Sequence, residues 1–156
     1  MWDYPRPPAV DASSEHVVVL LGTSVVADTR RALRVLETSH PPTYYLPVAD
    51  IADGALVAAA APSTVCEFKG RATYADVLGR DDAGARVVVP AGAWTYPDPS
   101  PGYAALAGHV AFYPCRVTLC TVDGEPVRPQ GGGFYGGWCT DRVVGPFKGE
   151  AGTRGW

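Results

Sequence analysis

Two pairs of reactive side chains in this sequence have the spacing needed for joint chemistry. Glu37 and His40 lie three residues apart, just before Pro41-Pro42, and this spacing can place a carboxylate beside an imidazole. Such a carboxylate orients the ring and raises its basicity, which makes His40 the candidate general base near neutral pH. The same pair would equally cap or pack the chain where an element ends, so both interpretations stay open.

Cys66 and Lys69 form the second pair. A nearby cation lowers the pKa of a thiol, and the thiolate is a nucleophile. In a regular strand two residues three apart point to opposite faces, so the pair needs the bend or bulge that Gly70 would allow. Lys69 is also suited to anchor an anionic group or to stabilise developing negative charge. The alternative is a buried, inert thiol beside a solvent-exposed lysine.

Aromatic residues supply a candidate wall for a pocket around these groups. Tyr44 and Tyr45 face opposite ways along a strand, whereas Trp94 and Tyr96, two apart, share one face. Aromatic side chains with polar handles line small-molecule sites, although they also build ordinary cores. The predicted catalytic residues are Glu37, His40, Cys66 and Lys69, and the predicted ligand-binding residues are Arg34, Tyr45, Tyr74, Trp94, Tyr96 and Trp138.

Short strands bounded by turns must position these side chains. A helix is predicted over residues 28–38, because Ala32, Leu33 and Leu36 share one face at helical spacing. Weaker helical turns are expected over residues 50–61 and 103–107. Strands are predicted over residues 17–21, 25–27, 44–46, 64–68, 72–77, 86–89, 93–96, 109–113, 116–122 and 126–128, the last two as a hairpin around Asp123-Gly124.

This pattern predicts a mainly β (α+β) fold, a compact antiparallel β-sheet domain with one or two short helices. We expect one domain over residues 1–156, with a core at about 16–128 and an extended, proline-rich arm at 1–15. Residues 130–156 form a tail rich in glycine and aromatic residues. The tail would serve as a lid over a pocket, as a permanently docked arm or as the arm of a homodimer.

Composition excludes several classes of protein. The 156 residues are 47% hydrophobic and 19% charged, which excludes a disordered chain, and the net charge of −3 gives no general attraction to nucleic acid or to an anionic membrane. The chain shows no secretory signal and no apolar run long enough to span a bilayer, so we expect a cytoplasmic protein with free thiols. No CxxC motif occurs, and neither a metal nor another cofactor is predicted.

Several of these segments, taken in order, resemble DUF427, a bacterial and fungal family of uncharacterised function. The matching segments lie within residues 16–128 and are residues 27–42, Tyr44-Tyr45-Leu46-Pro47, Cys66-Glu67-Phe68-Lys69-Gly70, Ala93-Trp94-Thr95-Tyr96-Pro97 and Val110-Ala111-Phe112-Tyr113. The resemblance implies a compact β fold of the Mss4-like or β-tent type that lacks the zinc-binding cysteines. The family is sometimes labelled nucleotidyltransferase-like and brings no agreed activity.

Three functions follow as hypotheses. The first is a small cytosolic enzyme that acts on a small molecule in an aromatic-lined pocket, with Glu37, His40, Cys66 and Lys69 as its polar cluster. The second is a non-catalytic module that binds a small molecule or a protein through the same aromatic wall. The third is a nucleotide-handling enzyme. The first two require distant strands to bring the polar cluster and Trp94 to one concavity.

Overall fold

The computed structural model describes residues 4–5, 7–66, 68–131, 136–141, 143 and 148. Short strands dominate this part of the chain, and its two helices are single 3-10 turns at Val48–Asp50 and Ala104–Leu106. The strands are β1 (Ala9–Ala12), β2 (Val17–Leu21), β3 (Ser24–Thr29), β4 (Leu33–Leu36), β5 (Thr43–Pro47), β6 (Leu56–Ala58), β7 (Thr64–Cys66), β8 (Gly70–Arg80), β9 (Arg86–Thr95), β10 (His109–Phe112), β11 (Leu119–Val122), β12 (Glu125–Pro126), β13 (Arg128–Pro129) and β14 (Trp138–Cys139).

Two antiparallel sheets form most of the fold. The larger has eight strands, in the order β1-β4-β5-β10-β9-β8-β6 with β7 paired to β8, and the smaller has four, in the order β12-β11-β2-β3. Strands β13 and β14 form a separate pair. All of the strand pairings are antiparallel, which confirms the predicted mainly β, antiparallel architecture.

The larger sheet buries both of its faces. One face packs on the smaller sheet through Tyr44, Leu46, Val110 and Phe112, among others. The opposite face carries a second cluster, composed of Val35, Tyr45, Ala72, Trp94, Tyr96, Tyr103, Leu106, Ala111 and Tyr113. We call this second surface the aromatic face. The predicted opposition of Tyr44 and Tyr45 is confirmed, because side chains alternate along β5.

The helix predicted over residues 28–38 is wrong. Strand β3 continues through Thr29, and β4 pairs with β1 on one side and β5 on the other. Leu33 and Val35 both pack on the aromatic face, and this spacing of two residues is that of a strand with one face buried. Burial between two neighbouring strands outweighs weak helical spacing, since tertiary packing overrides local propensity. The helical turn expected over residues 50–61 is likewise replaced, in part by β6.

Several local predictions are confirmed. Strands β2 and β3 form the expected hairpin, and β11 and β12 meet at Asp123-Gly124, where both residues have positive φ. Residues 9–12 of the N-terminal arm are extended along a neighbouring element, because β1 pairs with β4. Strand β9 is one continuous strand, although its sequence predicts two. No helix in the described part of the chain has both the length and the apolar character needed to cross a membrane.

Candidate functional site

A cavity of about 270 Å³ lies on the aromatic face of the larger sheet. Eight of the ten residues predicted for the site line it: Glu37, His40, Tyr45, Cys66, Lys69, Tyr74, Trp94 and Tyr96. A second groove of similar volume, beside Asp53, Arg80 and Arg86, contains none of the predicted residues. The first cavity is therefore the candidate site, and the roles of its residues are still predictions.

A tight turn after β4 brings Glu37 and His40 to the cavity. The backbone N–H of His40 donates to the carbonyl of Glu37 at 3.1 Å, and Ser39 adopts a left-handed conformation with φ of 66°. Pro41 and Pro42 then lead directly into β5. The sequence predicts Glu37 and His40 as a pair at the end of an element, and the structure places both in the turn between strands β4 and β5.

The β7–β8 hairpin brings Cys66 and Lys69 to the same cavity. Cys66 is paired with Gly70, so the chain reverses between them and Lys69 lies in the turn. Gly70 has φ of 113°, a conformation that favours glycine. The carbonyl of Lys69 accepts a hydrogen bond from the N–H of Ser100 at 2.9 Å. The expected need for a bend at Gly70 is met by this reversal of the chain.

Lys69 is largely buried as a residue, with 9% of its surface exposed, and it lines the cavity. Within the described residues, its ammonium group forms neither a salt bridge nor a hydrogen bond. Its charge lies close enough to His40 to contribute to lowering the pKa of that imidazole. A cavity wall that carries a positive charge without a partner among the described residues attracts anions, so this part of the cavity is electrostatically suited to an anion.

The pKa of His40 is lowered by its surroundings, which favours the neutral imidazole at neutral pH. Burial lowers the pKa of His40 below its usual value, and this cause outweighs the opposing influence of the Glu37 carboxylate. The charges of Lys148 and Lys69 lower it further. A neutral imidazole has one nitrogen that donates and one that accepts, so its tautomer decides what it can offer a guest.

Aromatic side chains form the opposite wall. Trp94 Nε1 donates to Tyr45 Oη at 3.3 Å, and the rings of Trp94 and Tyr113 lie 4.5 Å apart between centroids. Tyr74 Oη is 2.9 Å from Thr64 Oγ1. Burial raises the pKa of Tyr45 well above its usual value and that of Tyr113 to about 12, so both phenols stay protonated. This wall offers flat apolar surface with a few hydrogen-bonding groups at its edges.

Two predicted ligand-binding residues lie away from the cavity. Arg34 forms a two-point ion pair with Asp11 of β1, with N–O distances of 2.8 and 3.0 Å, because alternation along β4 turns it away from the neighbouring Val35. Trp138 is fully buried in the core between the two sheets, where its ring lies 5.0 Å from that of Tyr44. Phe134 and Tyr135, which the lid prediction includes, lie outside the described residues.

Ten residues that line the cavity were absent from the sequence-based site, among them Tyr113, Gln130, Gly136 and Gly137. Tyr113 follows strand β10 on the same face as Ala111, so alternation could have identified it. No sequence signal marks Gln130, which follows a proline in an irregular segment. The described residues contain no group of three His, Cys, Asp or Glu side chains arranged to hold a metal ion.

One known protein family matches most of this chain. A family described as a domain of unknown function, DUF427, matches residues 9–123, well over half of the chain. The chain therefore belongs to this family, as the sequence motifs predict. No curated protein matches the chain. Gln130, Gly136 and Gly137 lie beyond the matched region, so one part of the cavity lining comes from the segment that follows it.

Proposed function

We propose that this member of the DUF427 family is an enzyme that binds a small organic anion in the cavity and acts on it with Glu37 and His40. The observation that carries the proposal is the ammonium of Lys69 at the cavity wall, on a residue only 9% exposed, which has no partner among the described residues. A bound carboxylate, phosphate or similar group would compensate this charge. Charge-assisted hydrogen bonds of that kind are stronger than neutral ones.

The size of the cavity supports a small guest. Drug-sized ligands occupy pockets of about 300–1,000 Å³, and this cavity of about 270 Å³ lies just below that range. The rings of Trp94, Tyr96 and Tyr113 favour a flat apolar portion opposite the anionic group. A compact aromatic or unsaturated acid has both features.

The polar groups support acid–base chemistry on such a molecule. Glu37 and His40 reach the cavity from one turn, and a histidine whose pKa is displaced by burial and specific charges is typical of functional sites. Cys66 lines the same space beside Lys69, and its role as a nucleophile stays a prediction. The burial of His40 and the lowering of its pKa favour an enzyme over a passive binding module.

A binding experiment with defined probes tests the proposal. Benzoate and its neutral isostere benzamide are titrated against the protein by calorimetry and by thermal shift. We expect benzoate alone to bind, and we expect Lys69→Met to weaken its affinity at least about 10-fold, as the loss of a buried charge partner does. Arg71→Met is the matched control, because Arg71 is exposed on the same hairpin and does not line the cavity.

Other outcomes separate the remaining hypotheses. Equal binding of benzoate and benzamide, or full benzoate affinity in Lys69→Met, would contradict the anion site. Binding of anions from a metabolite pool without turnover of any of them would identify a non-catalytic module. Selective stabilisation by ATP with Mg²⁺, included as a probe, would favour the nucleotide-handling enzyme.

A further inference from the structure

We infer that Gln130 is a positioning residue that holds His40 as the Nε2–H tautomer, so that this imidazole acts as a hydrogen-bond donor and not as the base. The consequence for chemistry rests on the proposed function. The tautomer itself does not, because it follows from contacts within the chain.

The hydrogen bonds of the Gln130 amide determine which nitrogen of His40 carries the proton. Gln130 Nε2 lies 3.0 Å from His40 Nδ1 and 2.6 Å from the carbonyl oxygen of Lys148. A carbonyl oxygen only accepts, so the amide must present its NH₂ group on this side. The same NH₂ group then donates to Nδ1, which must be unprotonated. The proton of the neutral ring is therefore on Nε2.

The alternative orientation of the amide is excluded by the same carbonyl. Rotating the amide by 180° would place Gln130 Oε1 against the oxygen of Lys148, and two acceptors would repel each other. In the observed orientation Oε1 is buried and has no hydrogen-bond partner within the described part of the chain. A methyl group added at Gly137 would lie 2.5 Å from this oxygen, so the backbone encloses it closely.

This unsatisfied acceptor supports a functional role for Gln130. Buried polar groups in folded proteins are nearly always hydrogen-bonded, and exceptions concentrate where function requires them. Gln130 is only 3% exposed, so a residue selected for stability alone would be apolar or fully paired. The orientation of the amide that leaves Oε1 unpaired is the one in which Nε2 makes both of its hydrogen bonds, to His40 and to Lys148.

The fixed tautomer assigns the chemical roles in the cavity. A neutral imidazole that donates from Nε2–H can polarise a carbonyl or stabilise an oxyanion. Among the described residues, the charged groups that influence His40 are Glu37, Lys69 and Lys148, and of these three the Glu37 carboxylate is the one that can accept a proton. Glu37 is then the base, while His40 and Lys69 hold the negative oxygen of the bound molecule.

Nitrogen-15 NMR of the uniformly labelled full-length protein tests the tautomer directly. Long-range proton–nitrogen spectra at pH 7.5 distinguish a protonated ring nitrogen from an unprotonated one, and His40→Gln identifies the signals of His40. We expect unprotonated Nδ1 and protonated Nε2. His16 and His109 provide internal references in the same spectrum.

Two variants test whether Gln130 is the cause. Gln130→Met removes both donors at similar size, and we expect the His40 signals to move to a mixture of tautomers. Gln130→Glu places a carboxylate at Nδ1, and we expect Nδ1 to become protonated. An Nδ1–H tautomer in the unmodified protein, or an unchanged tautomer in both folded variants, would overturn the inference. The unmodified spectrum decides the tautomer even if neither variant folds, and it needs no ligand, so failure of the proposed function is detected separately.

Discussion

Gly136 packs directly against the indole ring of Trp94. A methyl group placed on Gly136 would overlap Cη2 of Trp94 and would lie 2.9 Å from Cζ3. The segment beyond the family-matched region therefore approaches the aromatic wall with its backbone, and only glycine leaves room for the ring. Trp138, two residues later, anchors this segment by donating from its backbone N–H to the carbonyl of Pro42 at 2.8 Å.

Gly136→Ala is expected to destabilise the protein, because Trp94 must shift to accept the methyl group. Overpacking of this kind lowers the free energy of unfolding by about 1–3 kcal/mol. Urea unfolding measures the change, and Gly102→Ala is the control because no atom lies within 4 Å of its added methyl group. Equal stability of the two variants would show that the segment does not pack on Trp94.

Trp138 is expected to behave as a core residue and not as a ligand contact. It is fully buried, and its Nε1 donates to the carbonyl of Phe112 at 3.2 Å. Trp138→Ala should lower the free energy of unfolding by about 3–5 kcal/mol. The control is Val88→Ala at a side chain that is 46% exposed, where little change is expected. A Trp138→Ala protein with unchanged stability and weakened benzoate binding would contradict this assignment.

The stability of the protein is expected to depend on pH through His40. Burial lowers the pKa of His40 in the folded state, so below about pH 6.5 the unfolded chain binds more protons than the folded one. The contribution of neutral His40 to the free energy of unfolding is complete above the pKa of the unfolded state. It is lost as the pH falls from there toward the pKa of the folded state. Chemical unfolding between pH 5 and pH 8 measures it. His40→Gln is the control and should show a flatter profile over that window, whereas parallel profiles would refute the prediction.

Arg34 and Lys69 are expected to have opposite effects when replaced. Arg34→Met breaks a partly exposed ion pair with Asp11, so the unfolding free energy should fall by about 1 kcal/mol or less while benzoate affinity is unchanged. Lys69→Met should reduce benzoate affinity and leave stability nearly unchanged, because its ammonium has no partner among the described residues to lose. Calorimetry and urea unfolding of both variants check this contrast. Loss of benzoate binding in Arg34→Met would show that Arg34 contributes to the binding site after all.

The local features of this protein could be predicted because each depends on neighbours along the chain. Alternation places Tyr45 opposite Tyr44 and puts Trp94 and Tyr96 together, whatever the rest of the fold does. Asp123-Gly124 specifies its hairpin through the positive φ that both residues adopt. Three expectations are still predictions of the sequence: a cytoplasmic location, no nucleic-acid partner, and a homodimer.

Tertiary structure decided the features that depend on what lies beside a segment. Residues 33–36 form a strand because β1 and β5 flank them and supply hydrogen bonds on both edges. Gln130 reaches His40 only because the chain after β13 returns across the turn that follows β4, a contact between residues 90 positions apart. Residue types and spacing thus determined which groups were available for chemistry. The packing of distant segments decided which of them share a cavity and which nitrogen of His40 carries the proton.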